Sequence, residues 1–169
     1  MNPLIFQKAA EKDADRIFTL YQSLVGTPYC AWDKDYPNLE IIQEDIALGG
    51  LYMLSRESEL IAAGAVRHLP EHDKLSCWPP MKNPCDLLRI GVAQSYQGQG
   101  IGRFFLKALL SEAERKHFDC MRILVAKTNL PAIALYRRMG IVFYGETFSY
   151  GIDWFCGIIP VVPAPRNHE

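Results

Sequence analysis

The stretch "DLLRIGVAQSYQGQGIGRFFLKALL", residues 86–110, decides the fold of this chain. Its first eight residues, 86–93, are mostly apolar and predict a strand. Apolar residues then recur at helical spacing from Ile101 onward, which predicts a helix to about residue 117. Glycines occupy alternate positions 98, 100 and 102 between the two elements. One glycine suffices for a plain turn. Three glycines leave the backbone at a helix start without side chains, and the unpaired N–H groups and helix dipole there favour an anion. We therefore expect a phosphate-binding turn.

Two common nucleotide-binding fingerprints do not fit this turn. A P-loop requires lysine after its last glycine, and none stands there. The dinucleotide fingerprint G-x-G-x-x-G requires glycine at position 103, which is Arg103. The expected anion therefore belongs to another kind of ligand.

Elements on either side of the turn predict one α/β domain. The chain has 169 residues and is 49% apolar, enough for a single well-formed core. Alternating strands and helices after residue 86 favour parallel pairing, and the consecutive strands before it favour antiparallel pairing. We expect a domain over residues 1–160 and a proline-rich tail over residues 161–169.

Composition excludes several classes of protein. A net charge of −1 lacks the basic excess of nucleic-acid binders, and no apolar run approaches the roughly 20 residues of a membrane helix. The first residues lack the pattern of a secretory signal. The five cysteines are odd in number, widely spread and without a C-x-x-C pair, so we expect reduced thiols in a cytoplasmic protein.

Two motifs resemble those of the GNAT family of N-acetyltransferases. The family's [RQ]-x-x-G-x-[GA] signature opens a helix after a strand, and Gln97, Gly100 and Gly102 occupy its defined positions. A second segment, "TNLPAIALYRRMGIVFYGE" (residues 128–146), is similar to a family segment in which Asn129 opens a helix that carries Tyr136. Phenylalanine is commoner in the family where Ile141 follows the glycine. The resemblance is specific from about residue 86 to residue 145.

The resemblance implies a fold and a donor. The fold is a mixed, mostly antiparallel seven-stranded sheet with splayed central parallel strands and helices on both faces, the acyl-CoA N-acyltransferase fold. The donor is acetyl-CoA, used as co-substrate without a metal. By the same resemblance, the residues that contact it are Ile90, Gly91, Val92, Gln97, Gly98, Gln99, Gly100, Ile101, Gly102, Arg103 and Asn129. From the residues alone, Gly91 inside a strand indicates a bulge, a close backbone approach or a packing glycine.

Tyr136 and Asp86 are the candidate catalytic residues that the resemblance implies. Tyr136 is the expected general acid for the departing CoA thiolate, although its helical apolar stripe also suits a core residue. Asp86 is a candidate general base, expected to share one face of its strand with Leu88, Ile90 and Val92. A solvated aspartate and a water chain are alternatives, and further carboxylates that could reach the cleft are Glu40, Glu44, Asp45 and Glu71.

The acceptor is expected to be a primary amine, attacked directly in a ternary complex. Trp32 and Tyr36 lie in an aromatic loop that could line the acceptor pocket or simply anchor the loop to the core. A small-molecule amine and a peptide N-terminus both remain open, as does a homodimer. A non-catalytic acyl-CoA-binding sensor or regulatory module is the rival hypothesis.

Overall fold

Seven strands form one sheet in the computed structural model, which describes residues 2–161. Their spatial order is β1-β2-β3-β4-β5-β7-β6. Every neighbouring pair is antiparallel except β4 and β5. The strands are β1 (Leu4–Lys8), β2 (Leu51–Arg56), β3 (Glu59–Arg67), β4 (Pro84–Val92), β5 (Cys120–Ala126), β6 (Val142–Ser149) and β7 (Ile152–Pro160). This confirms the predicted fold class.

Four α-helices cover the two faces of the sheet: α1 (Ala14–Leu24), α2 (Leu39–Ala47), α3 (Ile101–Arg115) and α4 (Leu130–Arg138). Buried residues of α1 and α2 form one core with Met53, Ala63 and Leu88. Buried residues of α3 and α4 form the other with Leu87 and Ile123. Within residues 2–161, none of the helices is long and apolar enough to cross a bilayer.

The parallel pair β4–β5 is joined over only half of its length. Pro84–Leu87 pairs with Cys120–Ile123, and no further pairing joins the two strands in the described residues. Beyond that point β4 keeps only β3 as neighbour, and β5 keeps only β7. The expected splay is therefore present. The second crossover helix does not produce another parallel pair, because β6 lies at the sheet edge and pairs antiparallel with β7.

A bulge in β4 corrects the predicted alternation of its side chains. Arg89 has a left-handed φ of +50°, and the register with β3 shifts there. An extra residue of this kind changes the face on which the following side chains lie. Leu88 consequently packs in the α1–α2 core, whereas Ile90 and Val92 pack against the α3–α4 core. The expectation that these three residues share a face was wrong.

The β3–β4 loop, residues 68–83, folds back over the sheet and corrects the prediction for the thiols. A disulfide joins Cys77 of this loop to Cys156 of β7, 79 residues away in sequence. The expectation of five reduced cysteines is therefore wrong for this pair. Structural disulfides are rare in the cytosol, so the cysteines no longer support the predicted cytoplasmic location. That location stays a prediction. The predicted tail falls largely on residues 162–169, outside the described residues.

Candidate active site

The splay leaves two facing backbone edges without a strand partner. Leu88–Val92 on β4 and Leu124–Ala126 on β5 border this gap, which we call the donor cleft. Backbone N–H and C=O groups require partners, and an extended amide-bearing ligand can supply them as an added strand does. The cleft leads from the middle of the sheet toward the glycine turn.

The glycine turn, residues 97–103, presents free N–H groups at the start of α3. No backbone acceptor within the described residues pairs with the N–H groups of residues 98–103, and the first recorded bond runs from Phe104 to Gly100. Gly98 and Gly100 have φ values of +76° and +81°. A Cβ at either position would meet no atom within 4 Å. This combination suits a bulky anion.

The three glycines of the turn have different structural roles. A Cβ on Gly102 would lie 3.1 Å from Leu135 of α4, so this glycine allows α3 and α4 to pack closely. Only Gly98 and Gly100 face open space. Around them, the Gln97 side chain donates to the Val92 carbonyl at 2.9 Å, and the Gln99 side chain donates to the Ser95 carbonyl at 3.0 Å. Gln97 therefore holds the turn against the end of β4, and Gln99 holds it against the residues that follow β4.

Tyr136 and Asn129 lie on the neighbouring helix α4. The Tyr136 side chain is buried in the α3–α4 core, and this burial raises the pKa of its hydroxyl to about 12. The phenol therefore keeps its proton at neutral pH, as a general acid must. Asn129 caps α4 by accepting a hydrogen bond from the Ala132 N–H at 3.3 Å. The acid role of Tyr136 stays a prediction.

Asp86 lies in the paired half of β4 and is fully buried. Arg122 donates to both of its oxygens at 2.8 Å, His72 contacts one at 2.8 Å, and the Leu69 N–H donates at 2.8 Å. Burial alone would raise the pKa of Asp86, but hydrogen bonds from His72 and Arg122 outweigh it and lower the pKa. A carboxylate so occupied is a weak base. Its geometry indicates an ion-pair centre that fixes the β3–β4 loop, and the base role stays a prediction.

Trp32 and Gly91 meet on the α1–α2 side of the donor cleft. The Trp32 ring packs edge-to-face on Tyr21, with 4.9 Å between centroids. A Cβ on Gly91 would lie 2.8 Å from Leu24 and 3.3 Å from Trp32. Gly91 therefore makes room for side chains, which is the packing alternative, although the bulge lies only two residues away.

Tyr36 belongs to a cluster with Arg89 and Asp45 that the sequence did not predict. Its hydroxyl accepts a hydrogen bond from Arg89 at 3.1 Å, and Arg89 in turn binds Asp45 of α2. Asp45 is one of the four further carboxylates expected to reach the cleft, and the other three, Glu40, Glu44 and Glu71, are exposed. The available signal was an arginine inside the otherwise apolar run "LLRIGV", since a charge in a buried strand needs a partner.

A family model described as "Acetyltransferase (GNAT) family" matches residues 16–141, which is most of the chain. The chain belongs to the GNAT acetyltransferase family. The resemblance carried by the glycine turn and by the Asn129–Tyr136 segment is thereby confirmed.

Curated relatives of this GNAT chain are named N-acetyltransferases. Spermine/spermidine N(1)-acetyltransferase of Bacillus subtilis is 34% identical over 100 residues, 57% of this chain and 60% of the relative. N-acetyltransferase family 8 member 7 of Mus musculus is 28% identical over 140 residues, 78% of this chain and 59% of the relative. The matches thus span about three fifths of the relatives' own length.

Solved structures share the fold of this GNAT chain over nearly its whole length. The ribosomal-protein-S18-alanine N-acetyltransferase of Escherichia coli has a TM-score of 0.72 at 18% identity, covering 99% of both chains. The yncA protein of Salmonella typhimurium, solved with its cofactor acetyl-CoA, has a TM-score of 0.72 at 16% identity, covering 97% of both. At these identities the likeness establishes the fold alone.

Proposed function

We propose that this chain is an N-acetyltransferase that moves an acetyl group from acetyl-CoA to a primary amine by direct attack in a ternary complex. The observation that carries the proposal is the donor cleft, whose unpaired backbone edges adjoin a turn of unpaired N–H groups. Membership of the GNAT family and relatives named N-acetyltransferases support it.

The residues of the turn fit a CoA pyrophosphate. Open space over Gly98 and Gly100, together with N–H groups that lack backbone acceptors, leaves room for phosphate oxygens against the backbone. The exposed Arg103 side chain adds a positive charge at the same helix end. We assign the donor to the turn (Gln97, Gly98, Gln99, Gly100, Ile101, Gly102, Arg103), to the β4 edge (Ile90, Gly91, Val92) and to Asn129.

The chemistry needs one proton lost from the amine and one gained by the thiolate. Bound acetyl-CoA supplies the acetyl group as a thioester, and Tyr136 is placed in this proposal as the proton donor to the sulfur. An amine with a pKa near 10.4 is only about one part in 10³ neutral at pH 7, so its proton must leave before attack. Because both oxygens of Asp86 are occupied, we favour water reaching the cleft over Asp86 for this deprotonation, and an Asp86→Asn variant distinguishes the two.

The acceptor is proposed as a small-molecule amine or a peptide N-terminus. The relatives' names contain both kinds, a polyamine for the Bacillus subtilis protein and a ribosomal-protein alanine for the Escherichia coli protein. Trp32 and Tyr36 are the proposed acceptor-binding residues, because they lie on the α1–α2 side of β4. A cytoplasmic location and a homodimer stay predictions.

Two measurements on the full chain test the proposal. Calorimetric titration with acetyl-CoA should show micromolar binding, with ATP and NAD as controls that should not compete. A thiol-release assay with a panel of amines should then show amine-dependent formation of CoA. Binding without any amine-stimulated release would favour the sensor, and equal binding of ATP or NAD would overturn the assignment of the turn to CoA.

A further inference from the structure

A buried cluster with excess positive charge adjoins the candidate acceptor side of β4. Asp45 accepts hydrogen bonds from Arg67 at 2.9 Å and from two nitrogens of Arg89 at 2.7 Å. The side chains of Asp45, Arg67 and Arg89 are only 1%, 12% and 7% exposed. In the part of the chain that the structure describes, Asp45 is the sole carboxylate that forms an ion pair with either arginine. One carboxylate thus pairs with two guanidinium groups, because Asp86, which lies opposite Arg67 in the β3–β4 register, is bound by Arg122 instead. A buried charge without a partner of its own is costly.

Within residues 2–161, the same cluster holds N–H and O–H groups for which no acceptor is present. A guanidinium carries five N–H groups, and Arg89 uses three of them, two on Asp45 and one on the Tyr36 hydroxyl. The Tyr21 hydroxyl is buried and has no hydrogen-bond partner within the described residues. Burial raises the pKa of this hydroxyl, and the Tyr21 ring packs on Trp32, which lies against Gly91 of the same strand as Arg89. Buried polar groups nearly always have partners, so the Tyr21 hydroxyl is a donor available to a bound ligand.

The cluster is positioned at the mouth of the donor cleft. Arg89 is the second residue of the unpaired β4 edge, and the bulge at its own position sends its side chain toward α2. The exposed Tyr36 side chain accepts a hydrogen bond from the guanidinium through its hydroxyl, and the Tyr21 ring contacts the Trp32 ring that packs on Gly91. A molecule bound against β4 on this side therefore reaches the free donors of Arg89 and Tyr21 by displacing or joining Tyr36.

We propose that Arg89, supported by Arg67 and the Tyr21 hydroxyl, binds a carboxylate on the acceptor molecule. The inference rests on the proposed acetyltransferase function and narrows its substrate class to amines that carry a carboxylate, such as amino acids or peptides. A planar guanidinium fork matches a carboxylate, and one negative charge balances the excess of the cluster. A polyamine offers only positive charge to the same site.

A matched set of acceptors tests the inference. The thiol-release assay is run with amino acids, with their carboxamides and with the corresponding decarboxylated amines, and spermidine serves as a polycation. We expect kcat/KM for the amino acids to exceed that for their amides and amines by at least about tenfold, since a hydrogen-bonded charge contributes more than a neutral group. Amines or spermidine used as well as or better than amino acids would overturn the inference and leave the acetyltransferase standing. Failure of every amine would instead reject the proposed function.

The variant Tyr21→Phe separates a ligand site from a packing role. It removes a hydroxyl that has no hydrogen-bond partner among residues 2–161, so the free energy of unfolding should not fall. KM for a carboxylate acceptor should rise about tenfold, with KM for acetyl-CoA and for the matched carboxamide unchanged. Tyr144→Phe, at an exposed position on β6, should change neither constant. A Tyr21→Phe enzyme that keeps its parent's preference for the acid over the amide would remove Tyr21 from the site.

Discussion

The substitution Asp86→Asn tests whether this residue is an ion-pair centre or a catalytic base. The substitution keeps the shape but removes the charge that faces Arg122 and His72. Removing one partner of a buried ion pair costs about 3–5 kcal/mol. Arg122 keeps its bond to Asp73 at 2.8 Å, so we expect the lower end, about 3 kcal/mol.

Urea denaturation measures this loss. With a slope of about 2 kcal/mol per M, the midpoint should fall by about 1.5 M. Asp73→Asn is the matched control, because Asp73 also binds Arg122 but is exposed, and its midpoint should barely change. Turnover of the folded Asp86→Asn protein should stay close to that of the parent.

The effect of pH on the stability lost in Asp86→Asn follows from the direction in which folding shifts the pKa of Asp86. The pKa of Asp86 is lowered in the folded protein, so its carboxylate stabilises the fold fully above its ordinary pKa near 3.9. That contribution is lost as the pH falls through the lowered folded value. The difference between parent and variant should therefore be complete above about pH 5 and shrink in acid. A variant as stable as its parent, with turnover reduced at least about 100-fold, would refute this reasoning and restore Asp86 as the base.

Three further changes test other parts of the structure. Gly100→Ala should weaken acetyl-CoA binding measured by calorimetry, whereas Gly151→Ala, at a similar φ of +73° in the β6–β7 turn, should cost comparable stability and leave binding intact. Equal binding by both variants would make Gly100 a plain turn residue. Tyr136→Phe should lower kcat by about 10²-fold without changing acetyl-CoA affinity, and an unchanged kcat would remove it as the acid. Cys77→Ser should lower the free energy of unfolding by roughly 4 kcal/mol, since the disulfide closes a loop of 79 residues. If reductant destabilises the parent no more than this variant, the disulfide is absent in solution.

Much of the fold and the donor half of the site could be predicted because their signals are local. The apolar period of α3 follows from residues three and four apart, and the turn at Gly98 and Gly100 needs no distant partner. The splay of β4 from β5 and the roles of Tyr136 and Asn129 entered through the motif resemblance and not through periodicity. Even there, the sequence could not distinguish Gly102, which packs on Leu135, from the two glycines that face open space.

The tertiary structure alone decided how charged residues pair across the sheet. Asp86 and Arg122 are 36 residues apart, and Asp45 and Arg89 are 44 apart, so no local pattern connects them. The bulge at Arg89 reversed the faces expected for Ile90 and Val92, because one extra residue in a strand shifts every side chain after it. The sequence by itself determined the helix periodicity and a backbone turn suited to an anion. Which charges remain unbalanced beside that cleft, and hence which acceptor we propose, depends on long-range contacts that only the folded chain brings together.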